Sequence, residues 1–124
     1  MALPPFFQTR GHLLVCTGPR CARRGGARLF AEAWHTLETR HLAYYKSGGT
    51  VRLTESGCQG ACDHGPNAIV YFTDTSGTLQ EAWYAGVDHE RLVDLAEAVH
   101  GDLPLPGEGR YGPPQKTVGS PRLR

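Results

Sequence analysis

Apolar and polar residues alternate along the first part of the chain in two different periods. Residues 12–17 form a short apolar run, which predicts a buried strand. Residues 17–20 and 25–26, on either side of Cys21, have the composition of turns. Between residues 27 and 41 the period becomes helical, because an apolar stripe falls at i, i+3, i+4 and i+7 and continues at i+11 with a histidine: Phe30, Ala33, Trp34, Leu37 and His41. This spacing predicts an amphipathic helix of about four turns.

The second part of the chain returns to strand patterns before a last helix. Residues 50–55, 68–73 and 79–87 predict three strands, and the polar, glycine-containing residues 74–78 predict a hairpin turn between the last two. Asp88 is a good N-cap for a helix that Gly101 ends. The predicted core face of that helix is Leu92, Leu95, Ala96 and Val99.

The element order β-α-β-β-β-α predicts an α/β fold. A strand that is joined through a helix to the next strand needs a right-handed crossover, which makes the two strands parallel. The hairpin then adds antiparallel strands, so we expect a mixed four-stranded sheet with helices packed on it. We expect residues 12–101 to form this domain, residues 1–11 an N-terminal extension, and residues 102–124 a Pro/Gly-rich basic tail, disordered or laid on the surface.

The four cysteines form two pairs, each directly after a predicted strand. Four residues separate Cys16 from Cys21, three separate Cys58 from Cys62, and 36 lie between the pairs. Because parallel neighbouring strands end at the same edge of a sheet, we expect the two cysteine loops to meet there. Four thiolates are the ligand set of an iron–sulfur cluster or a structural zinc.

The spacing favours iron–sulfur chemistry and leaves two alternatives open. Structural zinc usually takes Cys-x₂-Cys knuckles, and these wider, glycine-rich loops suit a larger [2Fe-2S] cluster better. The plant-type ferredoxin spacing also begins Cys-x₄-Cys, but the third cysteine that should follow at once is absent. Thiol redox chemistry is disfavoured because no Cys-x₂-Cys motif is present.

Charge and hydropathy narrow the class of protein further. No stretch approaches the length of a membrane helix, and the N-terminus is uncharged and broken by proline, so we expect a cytoplasmic protein without a signal peptide. Residues 1–52 carry a net charge of +6 and residues 53–109 one of −9. No basic stripe is interleaved with aromatic residues, so this asymmetry does not indicate a nucleic-acid site. It indicates either a polar partner surface or oppositely charged faces that solvate the domain and pair with each other.

The residues around the cysteines carry a resemblance to a known family. The segment GCQGACDHGP from Gly57 to Pro66, followed by the strand AIVY, is the specific part. Val15-Cys16, Cys21 with Gly25, and Trp83-Tyr84 with Val87 match as well. Over roughly residues 13–101 the chain resembles the thioredoxin-like [2Fe-2S] ferredoxins and the similar small iron–sulfur subunit of NADH dehydrogenases. Only about eleven residues precede the first strand, which favours a stand-alone carrier.

The resemblance implies a cofactor and its ligands. It implies one [2Fe-2S] cluster per chain, with Cys16 and Cys21 on one iron and Cys58 and Cys62 on the other. It further implies a one-electron carrier rather than an enzyme, with redox partner proteins, a homodimer and no nucleic-acid or membrane partner. The alternatives are a redox subunit or accessory domain of a larger oxidoreductase or metallocofactor-biosynthesis system, and a zinc-stabilised or thiol-redox module.

Other residues near the cysteines have expected roles around such a cluster. Three glycines would let the backbone approach it: Gly57, Gly60 and Gly65. Three arginines beside Cys21 would offset its negative charge, dock an acidic partner, or simply be solvated: Arg20, Arg23 and Arg24. His64 is expected to be an exposed loop residue rather than a ligand. Trp83 and Tyr84 are expected to pack on the strands.

Overall fold

The computed structural model of the protein describes residues 2–60 and 64–113. Five strands and three helices occupy this part of the chain. In chain order they are β1 (Gly11–Cys16), α1 (Pro19–Arg23), α2 (Gly26–Thr39), β2 (Val51–Ser56), β3 (Ala68–Thr73), β4 (Leu79–Tyr84), α3 (His89–Gly101) and β5 (Arg110–Gly112). None of the helices in the described ranges is long and apolar enough to cross a membrane.

The strands form one mixed sheet in the order β2-β1-β3-β4-β5. β1 and β2 are parallel, and Cys16 lies opposite Ser56 at their carboxyl ends. The remaining neighbours are antiparallel, with Val15 opposite Ala68 and Ala68 opposite Tyr84. The ends of β1, β2 and β4 and the start of β3 therefore share one edge of the sheet.

The core lies between one face of the sheet and the two long helices. Alternate strand residues such as Leu13, Val15 and Val70 pack with Leu37 of α2 and Leu95 of α3 in a single buried cluster. The predicted core face of α3 is confirmed, since Leu92, Leu95, Ala96 and Val99 are all buried. In α2 the buried stripe is Leu29, Ala33 and Leu37, while Phe30 and Trp34 are half-buried beside it.

The predicted α/β architecture is confirmed, with one strand more than expected. The additional strand, β5, comes from the segment predicted as a tail and pairs with β4 at Trp83 and Tyr84. The segment before β5 is also hydrogen-bonded to the rest of the domain. The Tyr84 hydroxyl donates to the Pro106 carbonyl at 2.5 Å, and the Ala85 N–H donates to the Gly109 carbonyl at 3.0 Å. The predicted domain boundaries stay a prediction, and residues 114–124 lie outside the described ranges.

Two further details differ from the sequence prediction. The turn predicted around Cys21 is the short helix α1, which begins at Pro19, where a proline is favourable because its missing N–H needs no partner in a first turn. His41 lies beyond the end of α2 in a left-handed conformation with φ of 57° and is exposed. The last residue of the predicted apolar stripe is therefore not part of the helix.

The hairpin turn and the cap of α3 form as predicted. The Asp74 carboxylate accepts hydrogen bonds from the backbone N–H groups of Ser76 at 2.9 Å and Thr78 at 3.0 Å. The hydrogen bond from the Ser76 hydroxyl, followed by those from the Thr78 N–H, the Gln80 side chain and the Ser76 N–H, lowers the pKa of Asp74 to about 2. Asp88 accepts from the Arg91 N–H at 2.9 Å, which satisfies one of the unpaired donors at the start of α3.

Candidate metal centre

The two cysteine loops leave the sheet side by side, as their positions after parallel strands predict. Directly after Cys16, the N–H of Thr17 donates to the carbonyl of Ser56, the last residue of β2, at 3.0 Å. The Thr17 hydroxyl donates to the same carbonyl at 3.3 Å. These hydrogen bonds join the two loops where they leave the sheet, before the chain reaches Cys21 in the first loop and Cys58 in the second.

The first pair of cysteines is buried. Cys16 ends β1, and its N–H donates to the carbonyl of Asn67 at 3.0 Å. Cys21 lies in α1, and the Asn67 side-chain Nδ2 donates to its Sγ at 3.9 Å. Both cysteines and Asn67 have no solvent-accessible surface. One residue that precedes β3 thus contacts both cysteines, through its backbone at one and its side chain at the other.

Gly26, the first residue of α2, packs directly against the backbone of the first cysteine loop. A Cβ atom at Gly26 would lie 2.5 Å from the carbonyl oxygen of Cys16 and 2.8 Å from that of Cys21. Both distances are too short for real contacts, so only glycine allows α2 to start here. The close contact fixes the backbones of two cysteines, five positions apart in the sequence, against one point.

The second loop contacts the first through Cys58. A Cβ atom at Gly18 would lie 3.1 Å from the Cys58 backbone nitrogen, so the two loops pack backbone to backbone. Cys58 itself is exposed, and its Sγ accepts a hydrogen bond from the Gly60 N–H at 3.4 Å. The neighbouring Gln59 fastens this loop to the sheet, because its Nε2 donates to the Leu14 carbonyl at 3.0 Å and to the Ser56 hydroxyl at 2.9 Å.

The fourth predicted ligand, Cys62, lies outside the described residues. Within residues 2–60 and 64–113, no group of three or more Cys, His, Asp or Glu side chains is close enough to hold a metal ion. The four-cysteine ligand set therefore stays a prediction. His64 follows this loop and is exposed, and its carbonyl accepts from the Gly86 N–H at 2.8 Å.

An aromatic pair from β4 and β5 lies near the buried cysteines. Burial raises the pKa of Tyr111, and the negative charges of the Cys16 and Cys21 thiolates raise it further. The Tyr111 ring contacts the ring of Trp83 edge to face, with 6.2 Å between the centroids. Trp83 thus packs on the strands as expected, and Tyr84 is buried in the core.

The chemistry of these residues fits a cluster of iron and sulfide. Thiolates are the usual ligands of such clusters, and N–H donors to sulfur are a known influence on their reduction potential. The structure supplies such donors from Asn67 to Cys21 and from Gly60 to Cys58. Two cysteines in the interior and one at the surface are consistent with a cofactor that is shielded on one side and accessible on the other.

Three residues of the centre were missed by the sequence analysis or interpreted only as turn formers: Gly18, Gly26 and Asn67. The sequence instead singled out Gly57 and Gly60 for close backbone approach. A Cβ at either would meet nothing within 4 Å in the described structure, although Gly60 needs its positive φ of 91°. The sequence feature that indicates a special role for Gly26 is its position between a cysteine loop and the first apolar residue of a predicted helix.

The sheet order and the two cysteine loops at one edge define a small α/β protein of the thioredoxin-like class. The family comparison is more specific. The family model of the thioredoxin-like [2Fe-2S] ferredoxins matches residues 7–93, well over half of the chain. The chain belongs to this family, and the recognition made from the sequence is confirmed. No protein with curated annotation matches the chain.

Solved structures agree with this assignment. The wild-type thioredoxin-like [2Fe-2S] ferredoxin from Aquifex aeolicus is 25% identical, with a TM-score of 0.56, over 76% of this chain and 88% of that one. A cysteine-to-serine variant of it is 26% identical, with a TM-score of 0.54, over 77% and 92%. A further structure of that ferredoxin covers 88% of this chain and 99% of its own, at 24% identity and a TM-score of 0.59, and supports the fold alone.

The family also identifies the cofactor. It is a family of [2Fe-2S] ferredoxins, so the expected cofactor, a [2Fe-2S] cluster, is confirmed at the level of the family. Ferredoxins are electron carriers, and the family and the fold support this class of function for the chain.

Proposed function

We propose that this protein is a one-electron carrier whose [2Fe-2S] cluster is held near the surface by Cys16, Cys21, Cys58 and Cys62. The observation that carries the proposal is the contact between the two cysteine loops, in which Gly18 of the first meets the backbone of Cys58 of the second. Cys16 and Cys21 would hold one iron and Cys58 and Cys62 the other. The bound cluster would supply the chemistry by accepting and releasing one electron.

The chain's own residues provide a rigid and partly shielded setting for that electron. Cys16 and Cys21 are fully buried, and Asn67 fixes both of them. Rigid ligand loops reduce the reorganisation that accompanies a change of charge, and N–H donors to sulfur stabilise the reduced state. Such a carrier needs neither a substrate pocket nor a general acid or base, so we propose no enzymatic reaction. We propose the cytoplasm as its location and redox proteins as its partners.

We further propose that the carrier is a homodimer that pairs through the sheet face opposite the helices. Both long helices pack on one face, and the residues at the alternate strand positions do not belong to the buried core cluster. These residues include the apolar Leu14, Ile69, Tyr71 and Trp83, which share this face with polar residues such as His12 and Glu81. A Tyr71→Asp variant should sediment as a monomer, whereas a Gln80→Asp variant, on an exposed position of the neighbouring strand, should keep the oligomeric state of the wild type.

The carrier proposal is tested by the visible spectrum of anaerobically purified protein, with iron and acid-labile sulfide counted per chain. We expect a red-brown protein with about two irons and two sulfides per chain, bleached by dithionite. A colourless protein that contains zinc would contradict the proposal and support the structural zinc alternative. A stable partner that co-purifies with the coloured protein would support the alternative of a subunit in a larger oxidoreductase.

The ligand assignment needs its own variants. Cys58→Ala and Cys62→Ala should each abolish cluster assembly and lower the stability of the fold, because cluster binding and folding are coupled. Glu55→Ala, at an exposed position of β2 just before the loop, is the control and should keep its iron and sulfide. A Cys62→Ala protein with full iron and sulfide would show that Cys62 is not a ligand.

A further inference from the structure

The outer surface of the first cysteine loop is positively charged. Cys21 points into the interior from α1, while Arg20 and Arg23 of the same short helix and the following Arg24 are exposed. No Asp or Glu occurs between residues 16 and 31. The surface that covers Cys21 therefore carries several cations without an acidic residue from its own segment.

Arg23 and Arg24 are exposed and, like Arg52, belong to no ion pair of the described structure. Four arginines form ion pairs with carboxylates: Arg10 with Asp102, Arg28 with Glu32, Arg40 with Glu97 and Arg91 with Glu108. In the described part of the chain, neither Arg23 nor Arg24 takes part in an ion pair. We call these two residues the arginine pair. Their charges are not neutralised by a carboxylate of the described structure and are available to a partner.

The arginine pair adjoins the accessible side of the candidate centre. It follows Cys21 after one residue, Ala22, and the same loop contacts Cys58, the exposed cysteine, through Gly18. A redox partner has to approach the cluster at an accessible edge, so it would meet this surface. Charge complementarity at such a surface raises the rate of encounter and fixes the orientation. Arginine also suits carboxylates in particular, because its planar fork binds them through two hydrogen bonds.

We propose that Arg23 and Arg24 form the docking surface for an acidic patch on the redox partner. This proposal rests on the proposed function, since it assumes that the cluster transfers its electron at this edge. It adds the chemistry of the partner, which is a protein surface rich in Asp and Glu beside its own redox group. It also assigns a role to one side of the charge asymmetry in the sequence, since the arginine pair belongs to the basic N-terminal half.

Two small oxidants of opposite charge test the proposal without the partner. Ferricyanide and tris(1,10-phenanthroline)cobalt(III) each take one electron from the reduced cluster and become ferrocyanide and the cobalt(II) complex, while the cluster returns to its oxidised state. Stopped-flow absorbance follows the return of the visible colour as the cluster is oxidised. It gives each rate over a range of salt concentrations. We expect added salt to slow the reaction with the anionic ferricyanide and to accelerate the reaction with the cationic cobalt complex.

A charge-reversed variant and a matched control locate the effect. In R23E/R24E the low-salt rate with ferricyanide should fall by about tenfold, and its dependence on salt should reverse. K46E/R52E changes the net charge by the same amount, but Arg52 lies opposite His12, at the far end of β1 from Cys16. This control should keep the salt dependence of the wild type. Equal effects in the two variants would overturn the proposal, because net charge alone would then explain the rates.

The midpoint potential separates docking from simple charge compensation. We expect the salt dependence of the rates to change in R23E/R24E even after the rates are corrected for any shift in potential. A shifted potential with an unchanged salt dependence would overturn the proposal. If R23E/R24E fails to assemble the cluster, the single variants R23Q and R24Q should each show a smaller effect of the same sign. A wild-type protein without the visible spectrum of a [2Fe-2S] cluster would refute the proposed function first, before any rate is measured.

Discussion

The Asn67 side-chain amide donates a hydrogen bond to the Sγ of Cys21, 46 residues away in the sequence, in a fully buried position. N–H donors to cluster sulfurs favour the reduced state, because that state carries more negative charge. In Asn67→Leu, a variant of similar size, we expect the midpoint potential to become more negative by about 30–60 mV, which corresponds to about 0.7–1.4 kcal/mol for a one-electron couple.

The measurement for this variant is spectroelectrochemical titration of the visible absorption. The backbone carbonyl of Asn67 still accepts from Cys16 in the variant, so the loop should keep its position. Gln59→Leu is a suitable comparison, because its side chain binds the Leu14 carbonyl rather than a cysteine sulfur. An unchanged potential in Asn67→Leu with intact iron and sulfide would contradict a role for this hydrogen bond.

Gly26→Ala should disrupt the first cysteine loop. The added methyl group would overlap the carbonyl oxygens of Cys16 and Cys21, and these are backbone atoms that cannot rotate away. We expect a loss of about 1–3 kcal/mol in the free energy of unfolding, as for other overpacked sites, together with reduced iron content. Gly57→Ala, beside Cys58, is the control, because its methyl group would meet nothing within 4 Å. Urea unfolding and iron analysis of both variants provide the comparison.

Asp88→Ala should destabilise α3 without changing the cluster. The carboxylate of Asp88 caps the helix by accepting from the Arg91 N–H, and loss of such a cap costs about 0.5–2 kcal/mol. Asp88→Asn keeps an acceptor oxygen at the same position and should retain most of the stability. Thermal unfolding monitored by circular dichroism distinguishes the two variants, and equal stability of alanine and wild type would show that the cap contributes nothing.

His12 should make the free energy of unfolding depend on pH. Partial burial lowers its pKa from 6.5, and the charge of Arg52 lowers it further. Because the folded state binds this proton more weakly than the unfolded state, the contribution of His12 is complete above about pH 6.5 and decreases as the pH falls through the lowered pKa. Unfolding by urea at pH 7.5 and pH 5.5 should show a smaller difference in His12→Gln than in wild type. His35→Gln, at an exposed position, should behave as wild type.

The sequence predicted those features that depend on residues close together in the chain. Alternation located the strands, and β3 begins and ends at the predicted residues. The cap at Asp88 and the turn at Asp74 are likewise local, since each carboxylate binds backbone within four residues. The prediction that the two cysteine loops meet is confirmed for the part of the loops that the structure describes. The reason is that the end of a parallel strand fixes where each loop begins.

The missed features depend on contacts between distant residues or on elements too short to have a period. The bond from Asn67 to Cys21 and the contact of Gly18 with Cys58 exist only after the sheet has formed. α1 has five residues and β5 has three, so neither shows a repeating pattern. In α2 the predicted residues Ala33 and Leu37 are buried, but Phe30 and Trp34 are only half-buried, and the buried Leu29 was not predicted.

The pairing of β1 with β2 has a consequence for how the protein matures. β3 and β4 are joined by a short turn, so they can pair early, whereas β1 and β2 have a 34-residue connection and must find each other across it. Contacts between distant residues form late in folding, because the entropy of closing the connection is lost first. The two cysteine loops adjoin only when that slow step is complete. We therefore expect pulse-labelling of amide hydrogens to show protection of the β3–β4 hairpin before β2, and iron and sulfide to enter only after β1 and β2 have paired.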